Sequence, residues 1–231
     1  MIGLKNCSLM QMTTIQAISH DDYIQFRDEE LTEHILALNK IVQECTNSFE
    51  GNIFYLSGRF DYYPLFISKQ RDLYTLAQMS TNILEIGMNS GLSSLLMLVA
   101  NKTAKVIAFD IAVHEYTEPC AEYLRTHFPS RFRFIKGNSA NALPLFRDSK
   151  TNGGERFDLV HIDGNHTYSA ANLDFFNSRS VSIPGKTLIV LDDTSTFPHL
   201  ALLWRGYIDH GFVSNITMDD DDHSIGRVLT V

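Results

Sequence analysis

The chain has no apolar run longer than Leu95 to Ala100, far short of the roughly 20 residues that cross a bilayer. Its opening stretch, MIGLKNCSLMQMTTIQ, never builds the continuous apolar segment of a secretory leader. Cysteine is scarce. Cys7, Cys45 and Cys120 are odd in number and unclustered, which argues against a disulfide framework or a zinc knuckle and fits a reducing compartment. A basic stripe is missing too. The 19 Lys and Arg residues against 27 Asp and Glu leave a formal net charge of −8, so a phosphate backbone or an anionic membrane would be repelled on average. These absences point to a cytoplasmic protein whose partner is a small molecule, with no nucleic acid and no membrane; a homodimer stays open. What is present is ordinary globular composition: 231 residues, 44% hydrophobic and 20% charged, enough for one large core.

Along Asp22 to Asn47, the residues Leu31, Ile35, Leu38 and Val42 recur at four- and three-residue spacing, which predicts an amphipathic helix that needs a surface to cover. An irregular aromatic connection, Asn52 to Phe66, leads to a second helix over Ser68 to Met79. From there the pattern changes. Short apolar or β-branched runs at ILEI (83), KVIAF (105), FRFI (132), FDLVHI (157) and TLIVL (187) alternate with helical stretches, the signature of a parallel sheet wound by crossover helices. After a helix near Leu200 to His210, FVSNITM and SIGRVLTV predict a terminal antiparallel hairpin, for seven strands in all. The run Asp219 to Asp222 between them reads as a solvated hairpin turn. The division expected is a helical cap or lid over residues 1–68 and an α/β domain over 69–231.

The first parallel strand ends in a turn built to hold a ligand. In ILEIGMNSG, Gly87 lets the backbone approach a bound group, and Gly91 lets the following helix pack closely and offer free N–H groups. Asn89 stands where a dinucleotide fingerprint has its second glycine, so a pyrophosphate is less well provided for; Glu85 beside the turn suits a cationic group. Asp110 ends the second strand, where an acid can accept hydrogen bonds from both hydroxyls of a ribose. Gly137-Asn138-Ser139 follows the third strand and is placed to border an adenine ring. Asp163 ends the fourth strand and Asp192 and Asp193 the fifth. Adjacent strand ends would bring these carboxylates together, and their mutual repulsion calls for a cation, Mg²⁺ or Mn²⁺ first and Ca²⁺ as a looser fit; a simple helix cap at Asp193-Thr194-Ser195 is the plainer alternative.

The order ILEIGMNSG, the acid at Asp110, GNS and FDLVHIDGNHTY resembles the successive motifs of class I S-adenosylmethionine-dependent methyltransferases over roughly residues 69–231. The resemblance implies a Rossmann-like doubly wound sheet and a cofactor pocket of Glu85, Gly87, Asn89, Gly91, Asp110, Asn138 and Ser139. IDGNHTY and LDDT are similar to the paired motifs of metal-dependent O-methyltransferases, the group of the macrolide sugar, cephalosporin-type and caffeoyl-coenzyme A enzymes. In that family the matching positions bind the metal, here Asp163, Asp192 and Asp193. Catechol-type members carry Asp-Asn where this chain has Asp192-Asp193, which sets it nearer the antibiotic-tailoring branch. His166, beside Asp163, is the expected general base. The implied reaction is O-methylation of a small hydroxylated acceptor, with Asp163 and His166 as the catalytic pair and the aromatics Tyr55, Phe60, Tyr62 and Tyr63 forming the lid and acceptor pocket. A metal-independent methyltransferase, a nicotinamide-dependent oxidoreductase and a noncatalytic Rossmann-like binding module are the alternatives.

Overall fold

The computed structural model describes residues 13–152 and 154–231; Cys7 and the rest of residues 1–12 of the expected cap lie outside the described residues. Five parallel strands form the centre: β2 (Asn82–Ile86), β3 (Lys105–Asp110), β4 (Phe132–Lys136), β5 (Leu159–Ile162) and β6 (Leu188–Leu191). The hairpin of β7 (Val213–Thr217) and β8 (Ser224–Val228) joins through β8, antiparallel to β6. To the seven expected strands the structure adds an eighth, the two-residue β1 (Thr13–Thr14), parallel to β7; so short an edge pairing leaves no pattern to read. The sheet order is β1-β7-β8-β6-β5-β2-β3-β4. The chain winds outward from β2 to β4, returns to β5 and winds the other way, so the order reverses between β2 and β5. Ligands bind at the carboxyl ends of strands beside such a reversal.

Strand period separates two cores. Ile83, Val106, Ala108, Leu159, Leu188 and Val190 pack against α3 (Ile67–Gln78), α4 (Leu92–Ala100) and α5 (Thr117–His127). Their neighbours Leu84, Ile86, Ile107, Phe109, Val160 and Ile189 face α6 (Ser139–Asp148), α7 (Tyr168–Ser180) and α8 (Pro198–Asp209). All four residues of β5 and of β6 are buried, as central parallel strands covered on both faces should be. No helix among the described residues is long and apolar enough to cross a membrane.

The first amphipathic stretch is not one helix. It runs as α1 (His20–Phe26), a π-helical turn (Arg27–Leu31) and α2 (Thr32–Cys45). The stripe itself holds: Tyr23, Leu31, Ile35, Leu38 and Val42 are buried in the same core as α4 and α5. These helices therefore extend the core on one face of the sheet, and the segment that reaches the carboxyl edge is the irregular connection after them. In that connection Phe60 and Tyr62 pack with Phe49 and Phe54 on the core, Tyr55 stacks on Tyr62 at 5.5 Å, and only Tyr55 of the four expected aromatics lines the cavity described next.

Candidate active site

A cavity of about 1000 Å³ opens at the carboxyl edge beside the reversal between β2 and β5. Its floor is made by the residues at and after the ends of β2 to β6, and residues 50–53 and 55–57 line it as well. At one end lies the turn after β2. Gly87 has φ +91°, and a Cβ there would stand 2.0 Å from the carbonyl oxygen of Asp163, so glycine is required because the turns after β2 and β5 cross. Asp110 holds this turn in place: its carboxylate accepts from the N–H groups of Met88 (2.8 Å), Asn89 (2.9 Å) and Ala112 (2.7 Å). Three of its roughly four acceptor sites are thereby used, which leaves about one for a ligand hydroxyl rather than the two expected. Asn89 donates to the Gly51 carbonyl at 3.2 Å, while its Oδ1 is buried without a hydrogen-bond partner.

Gly91 does not line the cavity. Its N–H donates to the Met88 carbonyl, and its lack of a side chain makes room for Leu124, whose Cδ1 would lie 2.7 Å from a Cβ. Asn138 and Ser139 do line it. Asn138 caps α6 by accepting from Ala140 N–H, and the Ser139 hydroxyl donates to Asp174 at 2.6 Å, a carboxyl that burial pushes up to about 6.

Glu85 does not reach the cavity, contrary to the expectation that it meets a cationic ligand group. It is fully buried and absent from the cavity lining, because strand alternation turns position 85 toward the α3 and α4 face while Ile86 meets the cavity. There it accepts from Ser94 and lies 3.2 Å from Nδ1 of His161, whose Nε2 is 3.6 Å from Asp192. Burial pulls the His161 pKa down, but hydrogen bonds to Asp192 and Glu85 outweigh it and carry the pKa to about 10. The proton is thus bound more tightly in the folded chain than in the unfolded one, where histidine titrates near 6.5. The resulting stability should be complete below pH ~6.5 and be lost as pH rises through about 10. Thermal melts between pH 6 and 10.5 should show a decline that flattens in His161→Gln; parallel curves would refute the role.

The far end of the cavity carries the charge. His166 Nε2 lies 3.4 Å from Asp163 Oδ1 and 3.3 Å from Asp193 Oδ2, and its ring stacks on Phe197. Two residues that sequence reasoning missed complete the cluster. Lys69, on α3, places Nζ 2.7 Å from Asp192 Oδ1, 3.2 Å from Asp193 Oδ1 and 3.0 Å from Asp222 Oδ2. Asp222 also accepts from the Ser195 and Thr196 hydroxyls. The acidic turn is solvated only in part: Asp219 and Asp221 are exposed, but Asp219 pairs with Arg71, Ser68 donates to Asp220, and the N–H groups of Asp219 and Asp220 donate to Asp72.

Burial and then the charge of Asp192 push the Asp163 carboxyl up to about 6. Burial acts on Asp192 as well, but Lys69 and His161 outweigh it and hold that carboxyl well below the usual range. Asp193 is raised, by burial and by Asp192. Burial also opposes the Lys69 ammonium, yet Asp192 and Asp193 keep its pKa above the ordinary lysine value.

The expected trio of metal ligands is divided among three overlapping groups, His161-Asp163-Asp192, Asp163-His166-Asp193 and Asp192-Asp193-Asp222, each with ligand atoms within 4.8 Å of one another. The lysine ammonium stands at the last group, within 3.2 Å of all three of its carboxylates. As arranged, Asp163, Asp192 and Asp193 do not fit a divalent cation, because the three do not fall in one group and a fixed positive charge, the Lys69 ammonium, already stands within 3.2 Å of Asp192 and Asp193.

Comparison with known proteins agrees with this architecture. A family model described as "Methyltransferase domain" matches residues 84–194. No curated protein matches the chain in sequence. Among solved structures, an O-methyltransferase from Bacillus cereus in complex with S-adenosylhomocysteine is 18% identical, over 91% of this chain and 96% of that one, with a TM-score of 0.64. The O-methyltransferase TomG from Streptomyces achromogenes, involved in tomaymycin synthesis and solved with S-adenosylmethionine, is 16% identical over 92% and 99%, with a TM-score of 0.65. An S-adenosylhomocysteine-bound methyltransferase from Podospora anserina is 13% identical over 90% and 94%, with a TM-score of 0.60. The chain has the fold of the class I S-adenosylmethionine-dependent methyltransferases.

Proposed function

We propose that this chain is an S-adenosylmethionine-dependent O-methyltransferase acting on a small hydroxylated acceptor. The observation that carries the reading is a single cavity with a nucleoside-type turn at one end, built on Asp110 and Gly87, and an Asp163-His166 pair at the other. The residues present suit the cofactor: Asn89 Oδ1 is an orphaned buried acceptor on the cavity wall, and Asp110 retains an acceptor site beside it.

When bound, S-adenosylmethionine supplies a methyl group already activated by its sulfonium. The chain must then align an acceptor oxygen and remove its proton. His166 does the second: with Nε2–H donated to Asp163, the other ring nitrogen, Nδ1, takes the hydroxyl proton as the oxygen–carbon bond forms, and Asp163 and Asp193 beside Nε2 stabilise the imidazolium that results. Residues 50–53 and 55–57 supply a further wall of the cavity against which an acceptor can be aligned. No step is assigned to a metal.

In calorimetry S-adenosylhomocysteine should bind more tightly than NAD. Asp110→Ala should weaken it by about 10–100-fold, the loss of a charge-assisted bond together with its support of the turn. Equal affinity for NAD would sink the cofactor assignment. Transfer of labelled methyl to a panel of hydroxylated metabolites, with and without Mg²⁺, tests the reaction; cofactor binding without transfer to any hydroxyl would favour a noncatalytic binding module.

A further inference from the structure

We infer that Lys69 takes the place of the divalent cation among these carboxylates, so that the site works without a metal. Lys69 rises from the first turn of α3 with its side chain only 7% exposed. Its ammonium donates hydrogen bonds to Asp193 and Asp222 and pairs with Asp192 Oδ1 at 2.7 Å, so three carboxylates surround one fixed positive charge. These three carboxylates have oxygens within 4.8 Å of one another, the spacing a cation would need. A divalent ion at about 2.0–2.6 Å from the same oxygens would sit against the ammonium and repel it. Lys69 sits at the cavity wall with its side chain almost wholly buried and its Nζ 5.8 Å from the Phe66 ring centroid. Displacing it would leave a buried charge unpaired.

The remaining acid, Asp163, lies 3.4 Å from Nε2 of His166, which donates to it. Lys69 also acts beyond neutralisation. It holds Oδ1 of Asp193 at 3.2 Å while Oδ2 of the same carboxylate lies 3.3 Å from His166 Nε2. Lys69 is thus a positioning residue: it fixes the acid that orients the base, and it ties α3 to the ends of β6 and of the terminal hairpin.

The test is a titration of the full chain with Mn²⁺ alone, read by electron paramagnetic resonance, which needs neither cofactor nor acceptor and is independent of the reaction assigned. Wild type should bind no stoichiometric Mn²⁺ at micromolar concentrations. Lys69→Ala frees the three carboxylates and should gain one Mn²⁺ per chain, with a melting temperature that rises on adding the ion. Lys69→Arg keeps the charge and should bind none. The gained site should vanish again in Lys69→Ala combined with Asp222→Asn. One tightly bound Mn²⁺ in wild type, lost in Asp192→Asn, would overturn the inference even if Lys69→Ala failed to fold. So would a folded Lys69→Ala that binds no more Mn²⁺ than wild type.

Discussion

Replacing His166 with alanine should lower turnover by about 10²–10⁴-fold, the usual range for a lost general base, while S-adenosylhomocysteine still binds. The hydrogen bond to Asp163 is the main reason the His166 pKa is raised; burial opposes it, and the charges of Asp163, Asp193 and Asp192 add to it. The base works only when neutral, so wild-type turnover should climb with pH and level off along a limb above the ordinary histidine value. Asp163→Asn removes the largest cause and should move that limb toward lower pH. In His166→Ala the limb should disappear. Turnover against pH at saturating cofactor and acceptor reads all three, and a His166→Ala profile with the wild-type limb would return the residue to a packing role on Phe197.

The second large effect concerns Gly87. In Gly87→Ala the new Cβ would meet only backbone, at 2.0 Å from the Asp163 carbonyl oxygen, 2.5 Å from its carbon and 2.9 Å from Gly164 Cα. No side chain can rotate away, so the turns after β2 and β5 must separate. The positive φ adds about 1–2 kcal/mol and the overpacking about 1–3 kcal/mol, a large part of an ordinary stability of about 5–15 kcal/mol. At roughly 2–4 °C per kcal/mol for a domain of this size, the melting temperature should fall by about 10 °C, and activity more steeply because Asp163 moves. Gly58 is the control. It shares a positive φ, +72°, but a Cβ there meets nothing within 4 Å, so Gly58→Ala should lose only the conformational part. Equal melts for the two variants would refute the crossing argument.

The sheet was legible because burial on both faces makes β5 and β6 read as continuous apolar runs and because the glycine turn and strand-end acids follow in order. The positions of Asp163, His166, Asp192 and Asp193 at one edge follow from that topology. Glu85 was misplaced because its closeness to the turn outweighed strand alternation, which alone shows that it faces the helices. Lys69 left no signal: a lysine in an amphipathic helix reads as a solvated residue, and only the return of the chain 153 residues later brings Asp222 to it. Asp222 was hidden in a run of four acids that composition assigns to solvent. The π-helical turn at Arg27–Leu31 and the two-residue β1 follow from packing and edge pairing, which no local pattern records.

The 153-residue span between Lys69 and Asp222 also orders events during synthesis. At about 5–20 residues per second, Lys69 leaves the ribosome roughly 8–30 s before its last partner. In that interval β2 and β3 can already pair through local contacts, whereas the ammonium has no complete set of acids and α3 no hairpin to rest on. The nascent chain is therefore expected to carry a nearly finished sheet with an open edge, competent for chaperone capture or proteolysis there, until the terminal hairpin closes the charge cluster and the cavity together.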